Sequence, residues 1–441
     1  MSLSNGKVDF MTRFVFLLLF LAVHVLAENY KLSIKCDRNW KLKINEPVQF
    51  SVYLVQGNSQ HGIKGKKISY IINVDGLKKD SGTLFSGDSV KYSLPHPGWI
   101  NVQFTLLDDT GNVFEYKDKS GKKKTVSAGI GVLVEPEKLR PGMEKPDDFD
   151  AFWDQQRKIL DKVPLKAKLT EVEPSPQQKG RFRCYDVQVD CAGGMPVSGY
   201  LCVPRNAKNK SLPAVVSFHG AGVRSSIKSI ALPPALYLDV NSHGIPNGKT
   251  PQYYSSLAKK ELRSYWNRGA GDRETFYFRG MFFRVMRALD YIKSRPEWNG
   301  KVLIVQGMSM GGAQALAAAG LDPQVTLCVV SVPALMDHGG SLAKPPRKPG
   351  WPTLFDARRR KPDPRRMKTA PYYDNVFFAD RIRADVYLSA GLNDFICCPT
   401  SIYVLYNRLK TKKSIEIYPA GNHYTSFSKL WKDRYNKLLN P

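Results

Sequence analysis

The 441-residue sequence is short of several things that mark other kinds of protein. Its seven cysteines, Cys36, Cys184, Cys191, Cys202, Cys328, Cys397 and Cys398, are odd in number and scattered, and no C-x-x-C pair occurs. That pattern makes neither a disulfide framework nor a zinc site, so most of the thiols read as small buried hydrophobes. Histidine is as sparse, seven in all and nowhere clustered, and no metal or cofactor is expected. Acidic residues number 39 against 66 basic ones, for a net charge of +27. Such a surface can attract anions, but no nucleic-acid motif or stacking platform accompanies it, and no nucleic-acid partner is expected. The excess charge is partly local, in 117–124 and 344–368, and reads as solvated loops. Long apolar runs are missing too. Only Phe14–Ala27 resembles a membrane segment, and its 14 residues are too few to span a bilayer. It follows Lys7 and Arg13 and ends Val25-Leu26-Ala27, which predicts a secretory signal peptide cut after Ala27 and a secreted or periplasmic chain.

What is present divides the chain. From Glu28 to Val134, short alternating runs such as Val48–Val55, Ile68–Val74 and Trp99–Leu106 are separated by turn residues. Period-two alternation over about a hundred residues predicts an immunoglobulin-like β-sandwich at 28–134. A charged, Pro-bearing stretch, 135–148, reads as a linker. From Phe149 to Pro441, helical patterns alternate with apolar strands, beginning with the amphipathic Phe149–Leu160, which predicts an α/β domain with a doubly wound, mostly parallel sheet. Within it, Gly222–Arg279 reads as a loop and helix excursion, and a helix is expected at the C-terminus.

One stretch carries chemistry. Val302–Val305 is an apolar strand, Gly307-Met308-Ser309-Met310-Gly311 is a G-x-S-x-G turn, and Gln314–Ala319 is helix-forming. Strand, glycine-pinched serine and helix are the context of a nucleophile elbow. The glycines answer a steric need, because a Cβ at Gly307 or Gly311 would strike the neighbouring strand or helix. A serine hydroxyl needs a base, and the base needs an orienting acid, in the chain order Ser, Asp or Glu, His. Only His338 and His423 follow Ser309. His423 lies just past the strand candidate Ser414–Tyr418, where such sites gather, whereas His338 comes too early and reads as a loop histidine. The acid should follow the preceding strand, Val386–Ala390, and Asp394 does. Asp385, Asp374 and Asp380 come before that strand or at its wrong end. An oxyanion hole needs two backbone N–H groups. The strand Pro213–His219 ends in His219-Gly220, which makes Ala221 one donor, and Met310, after the nucleophile, is the other.

These residues bring a family into view. FDAFW at 149–153, the strand-ending HG, Arg279-Gly280, GMSMGG, SVPALMDH, GLNDFICCPTSIYVLYN and YPAGNH together resemble the acetyl xylan esterase/cephalosporin C deacetylase family of carbohydrate esterases, of the α/β-hydrolase superfamily. The resemblance covers about two-thirds of the chain and excludes the sandwich. It implies a serine carboxylesterase with an acetylated carbohydrate as substrate, Ser309, Asp394 and His423 as the triad and Ala221 and Met310 as oxyanion donors, and it makes a homo-oligomer a candidate. The family usually has glutamine where this chain has Met310, and Asn422 is an extra residue before His423. Other carbohydrate esters, a prolyl-oligopeptidase-like peptidase and a carbohydrate-binding protein with a relict hydrolase domain stay open as alternatives.

Overall fold

The structure, a computed structural model, describes residues 30–57, 59, 61–228 and 234–425. The predicted signal peptide and the C-terminal helix lie outside the described residues. The chain separates into two compact units that meet between Glu135 and Pro136.

The first unit is all β: β1 Tyr30–Cys36, β2 Lys41–Leu42, β3 Val48–Gln56, β4 Lys67–Val74, β5 Leu77–Phe85, β6 Ser89–Tyr92, β7 Gly98–Leu106, β8 Glu115–Lys117, β9 Lys123–Thr125 and β10 Ser127–Val134. They make a three-stranded sheet (β1-β3-β6), a five-stranded sheet (β2-β10-β7-β4-β5) and a β8–β9 ribbon. In β3, Val48, Phe50, Val52 and Leu54 are buried, while Gln49, Ser51 and Tyr53 between them are partly exposed. Alternate side chains of a strand point to opposite faces, so the period of two in the sequence becomes one buried face. The buried faces of the two larger sheets share one core, from Leu32 and Phe50 on one side to Ile72, Val102 and Val132 on the other.

The second unit is built on one nine-stranded sheet: β11 Ala167–Val172, β12 Phe182–Val189, β13 Val197–Pro204, β14 Leu212–Phe218, β15 Leu236–Val240, β16 Trp298–Met308, β17 Leu327–Ser331, β18 Asp385–Gly391 and β19 Lys413–Tyr418. The order is β11-β12-β13-β15-β14-β16-β17-β18-β19. The first three pairings are antiparallel and the remaining five parallel. The predicted α/β class with a mostly parallel sheet therefore holds. β14 pairs with β15 on one side and β16 on the other, so the chain reverses its direction of winding there. The carboxyl ends of strands at such a reversal diverge and leave a crevice. The His219-Gly220 turn and Ser309 stand at those ends.

Three expectations need correcting. The excursion Gly222–Arg279 contains β15, which is central to the sheet; its five buried residues, LYLDV, are too few to stand out by period from a loop. Cys184 and Cys202 are not lone hydrophobes but a disulfide between directly paired residues of β12 and β13, with Cα atoms 4.2 Å apart. Only the strand register brings these two thiols together. The basic insertion is not wholly solvated either. Arg347 forms a buried ion pair with Asp337 at 2.7 Å, and Arg358 pairs with Asp356, while Arg359, Arg360 and Arg365 are exposed. Within the second unit, Gly142 N–H donates to Asp337 (3.0 Å) and the Asn407 amide to the Pro136 carbonyl (2.8 Å).

The disulfide closes a loop of sequence separation 18. Cross-linking removes conformations from the unfolded chain, so the double variant C184A/C202A is expected to lose about 3 kcal/mol of stability, read as a lowered urea midpoint.

Candidate active site

The elbow forms because β16 must turn into the helix Met310–Leu321 within one residue. Ser309 takes that bend with φ 56° and ψ −123°, a region few side chains occupy. Two glycines make the turn sterically feasible. A Cβ on Gly307 would lie 2.2 Å from the Gly311 carbonyl, and one on Gly311 would lie 2.0 Å from the Phe218 carbonyl at the end of β14. The strain is held by hydrogen bonds on both sides of the serine. Ser309 N–H donates to the Ser331 carbonyl (2.9 Å), and the Ser309 carbonyl accepts from Ala313 and Ala334 N–H (3.0 Å each).

The other two residues arrive on the loops after the next strands. Asp394 follows β18 and is fully buried. Its Oδ1 accepts from the N–H groups of Ile396 (2.7 Å) and Cys397 (3.0 Å), so the carboxylate is bonded to its own loop and not to the helix Pro399–Arg408. His423 follows β19. The two loops are tied together, with Asn393 N–H donating to the Gly421 carbonyl at 2.9 Å. Asn422, the extra residue, turns the chain after it: its side-chain oxygen accepts from Tyr424 N–H (2.9 Å), and its own N–H donates to Thr425 Oγ1 (2.8 Å). The result is a continuous line. His423 Nδ1–H donates to Asp394 Oδ2 at 2.8 Å, and Ser309 Oγ–H donates to His423 Nε2 at 3.0 Å. Sequence order had joined these three across separations of 29 and 114 residues, and the fold brings them together.

The two expected oxyanion donors flank the serine. Met310 is the first residue of its helix, where an N–H has no partner in the helix itself. Ala221 follows Gly220, whose added Cβ would lie 3.8 Å from Ser309 Cβ. Neither N–H has an acceptor among the described residues. His219 sets this turn without joining the chemistry. Its Nδ1–H donates to the Gly220 carbonyl (2.8 Å) and its Nε2 accepts from Ser242 N–H (3.1 Å), a pattern that needs the neutral ring. Burial agrees, pushing its pKa down to about 4. His338 is buried and its N–H donates to Asp374 (2.7 Å); it takes no part in the Ser309–His423–Asp394 line.

Several neighbours were not foreseen. Cys397 reaches the triad, and its ligand atom lies within 4.8 Å of those of Asp394 and His423. A metal could enter that group only by breaking the His423–Asp394 bond. Burial, reinforced by the Asp394 charge, pushes the Cys397 thiol well up, so it stays protonated and offers no rival thiolate. Tyr265 donates its hydroxyl to Met310 Sδ at 3.1 Å and fixes the side chain beside the nucleophile. No motif in the sequence pairs these two, which are 45 residues apart.

The residues 132–439 match the model of the acetyl xylan esterase (AXE1) family. The chain belongs to this family and is a carboxylic ester hydrolase. It is similar to "Acetyl esterase Axe7A" of Xylanibacter ruminicola, 29% identical over 421 residues, covering 91% of this chain and 90% of that protein. Among solved structures it resembles the acetyl xylan esterase from Paenibacillus sp. R4, with 25% identity and a TM-score of 0.56 over 69% of this chain and 98% of that one. It also shares the fold of acetyl xylan esterase 1 from Thermoanaerobacterium sp. JW/SL YS485, with 23% identity and a TM-score of 0.54 over 69% and 96%. Both solved relatives match a share of the chain the size of its second unit, whereas the Xylanibacter relative must extend into the first.

Beside this candidate site, Asp239 of β15 is buried near the His219 turn, and burial raises its carboxyl to about 6 despite a hydrogen bond from Ile227 N–H (3.0 Å). The unfolded chain loses that proton near pH 4 and the folded one only near pH 6, so stability falls as pH rises through this window. Asp239→Asn keeps a carbonyl acceptor for Ile227 and removes the titration. The drop in urea midpoint between about pH 4 and pH 7 should therefore be smaller in this variant than in the wild type.

Proposed function

We propose that this chain is a secreted serine esterase that removes acetyl groups from O-acetylated sugars or polysaccharides such as xylan. The observation that carries the reading is the unbroken Ser309–His423–Asp394 line, at 3.0 and 2.8 Å, on a strained elbow. Ser309 Oγ attacks the ester carbonyl while His423 Nε2 takes its proton, and Asp394 holds the imidazole by Nδ1–H and stabilises its positive charge. The carbonyl oxygen, now an anion, accepts from the N–H groups of Ala221 and Met310. His423 returns the proton to the departing sugar oxygen, leaving an acetyl–Ser309 ester. Water, deprotonated by the same histidine, then releases acetate and restores the hydroxyl.

The substrate class is supported by the family and by what its named relatives are called. Export is supported by the apolar Phe14–Ala27 behind two basic residues, and the Cys184–Cys202 disulfide suits an oxidising compartment. The first unit, with antiparallel sheets around one core, fits an immunoglobulin-like sandwich. The test is release of acetate from a panel of acetylated polysaccharides, run beside methyl ferulate and a glucuronoyl ester. Acetate release that dominates supports the reading; ferulate or glucuronate release that dominates replaces it.

A further inference from the structure

Two segments far apart in sequence are hydrogen-bonded to the elbow. The first is the short helical turn Tyr265–Asn267, anchored to the elbow by the Tyr265–Met310 hydrogen bond. The second is the insertion after β17. Its Trp351 carbonyl accepts from Leu335 N–H at 2.7 Å, and the adjacent Ala334 N–H donates to the Ser309 carbonyl at 3.0 Å. Each segment therefore reaches the elbow through one or two hydrogen bonds, and each carries a tryptophan. The rings of Trp266 and Trp351 meet with centroids 6.1 Å apart at 54°. Trp266 also lies against Tyr265 (5.2 Å), and Trp351 against the fully buried Phe278 (6.5 Å), so the corner is braced from behind.

These indoles differ from the other two described in this unit. Trp153 and Trp298 donate their ring N–H to the carbonyls of Tyr372 (2.9 Å) and Val302 (3.1 Å). Trp266 and Trp351 are half-buried, and their ring N–H groups have no acceptor among the described residues. A buried tryptophan normally satisfies that donor. Two indoles that keep an apolar face and a free donor suit a ligand with an apolar face and rim hydroxyls. A pyranose has this form, since its C–H face packs on an aromatic ring while its hydroxyls accept hydrogen bonds. The 6.1 Å separation is too small to sandwich a sugar, so one indole stacks and the other borders it.

We propose that Trp266 and Trp351 form a sugar-binding subsite that holds a xylopyranose unit of the acetylated chain beside Ser309. This rests on the esterase reading for the identity of the sugar. It adds a binding role for the insertion, which the family resemblance did not supply.

The test measures binding without turnover. Ser309→Ala protein is titrated with acetylated xylotetraose by calorimetry, alone and with Trp266→Ala or Trp351→Phe added. Trp266→Ala should raise Kd about tenfold, since a stacked ring buries much of one sugar face. Trp351→Phe keeps most of the ring and loses the N–H, and should raise Kd about threefold. Tryptophan emission of the parent should shift on binding, and the shift should shrink in the Trp266 variant. An unchanged Kd in both variants, or no binding by the parent, overturns the subsite. Acetate release by the wild-type enzyme is measured separately, and its failure would count against the esterase reading and not against this one.

Discussion

Ser309→Ala is expected to lower kcat for p-nitrophenyl acetate by about 10⁵- to 10⁶-fold, or about 7–8 kcal/mol of transition-state stabilisation. In the proposed mechanism Ser309 Oγ forms the bond to the ester carbonyl, and His423 Nε2 stands 3.0 Å from it to take its proton. Without the oxygen, the imidazole has nothing to activate except water. His423→Ala should cost nearly as much, and the double variant little more than either, because residues that act on one proton are not additive. A residual rate above that of buffer is expected from the oxyanion donors Ala221 and Met310, which the substitution leaves in place. Steady-state kinetics with burst-phase detection of acetyl-enzyme decide the matter. A Ser309→Ala rate within tenfold of wild type would sink the mechanism. Cys397 does not rescue such a variant, because its thiol stays protonated.

The second large effect is on folding. In Gly311→Ala the new methyl would stand 2.0 Å from the Phe218 carbonyl oxygen and 3.0 Å from the His219 carbonyl carbon. Both are backbone atoms and cannot rotate away. β14 is paired on both sides, by β15 and β16, so it cannot retreat without breaking a ladder. The expected loss is about 4 kcal/mol or more, a large part of the stability of an ordinary domain. Since Phe218 leads into the turn that presents Ala221, any surviving protein should also lose activity. Gly271→Ala is the control. Its added methyl meets Arg365 no closer than 3.5 Å, so a change of about 0.5 kcal/mol or less is expected. Thermal and urea unfolding of the two variants separate a local steric conflict from a general cost of alanine.

The grouping of Ser309, Asp394 and His423 was legible in the sequence, and the reason is topological. In a sheet with strands followed by loops at one edge, chain order dictates which loop meets which. GMSMGG announced the elbow, and only one histidine and one aspartate followed the right strands. The steric role of Gly307 and Gly311 could be read too, because a strand-to-helix turn packed against a neighbouring strand leaves no room for a Cβ. The alternation in β3 likewise needs only a backbone of period two.

What the sequence could not decide depended on register and on contacts between distant segments. Cys184 and Cys202 become a disulfide only because β12 and β13 pair with these two residues opposite each other, and a one-residue slip would separate them. β15 was hidden because five residues, one of them Asp239, have too little length to reveal a period. Arg347 read as surface charge until the fold placed Asp337 2.7 Å away in a buried pocket. Tyr265 on Met310, and Trp266 against Trp351, join segments 45 and 85 residues apart in the chain. Local chemistry and strand order are written along the chain, and so they picked out Ser309, His423 and Asp394 as one candidate group. The contacts of Tyr265 with Met310 and of Trp266 with Trp351 are set by packing across the chain, where each depends on the placement of all the others, and only the tertiary structure decides them.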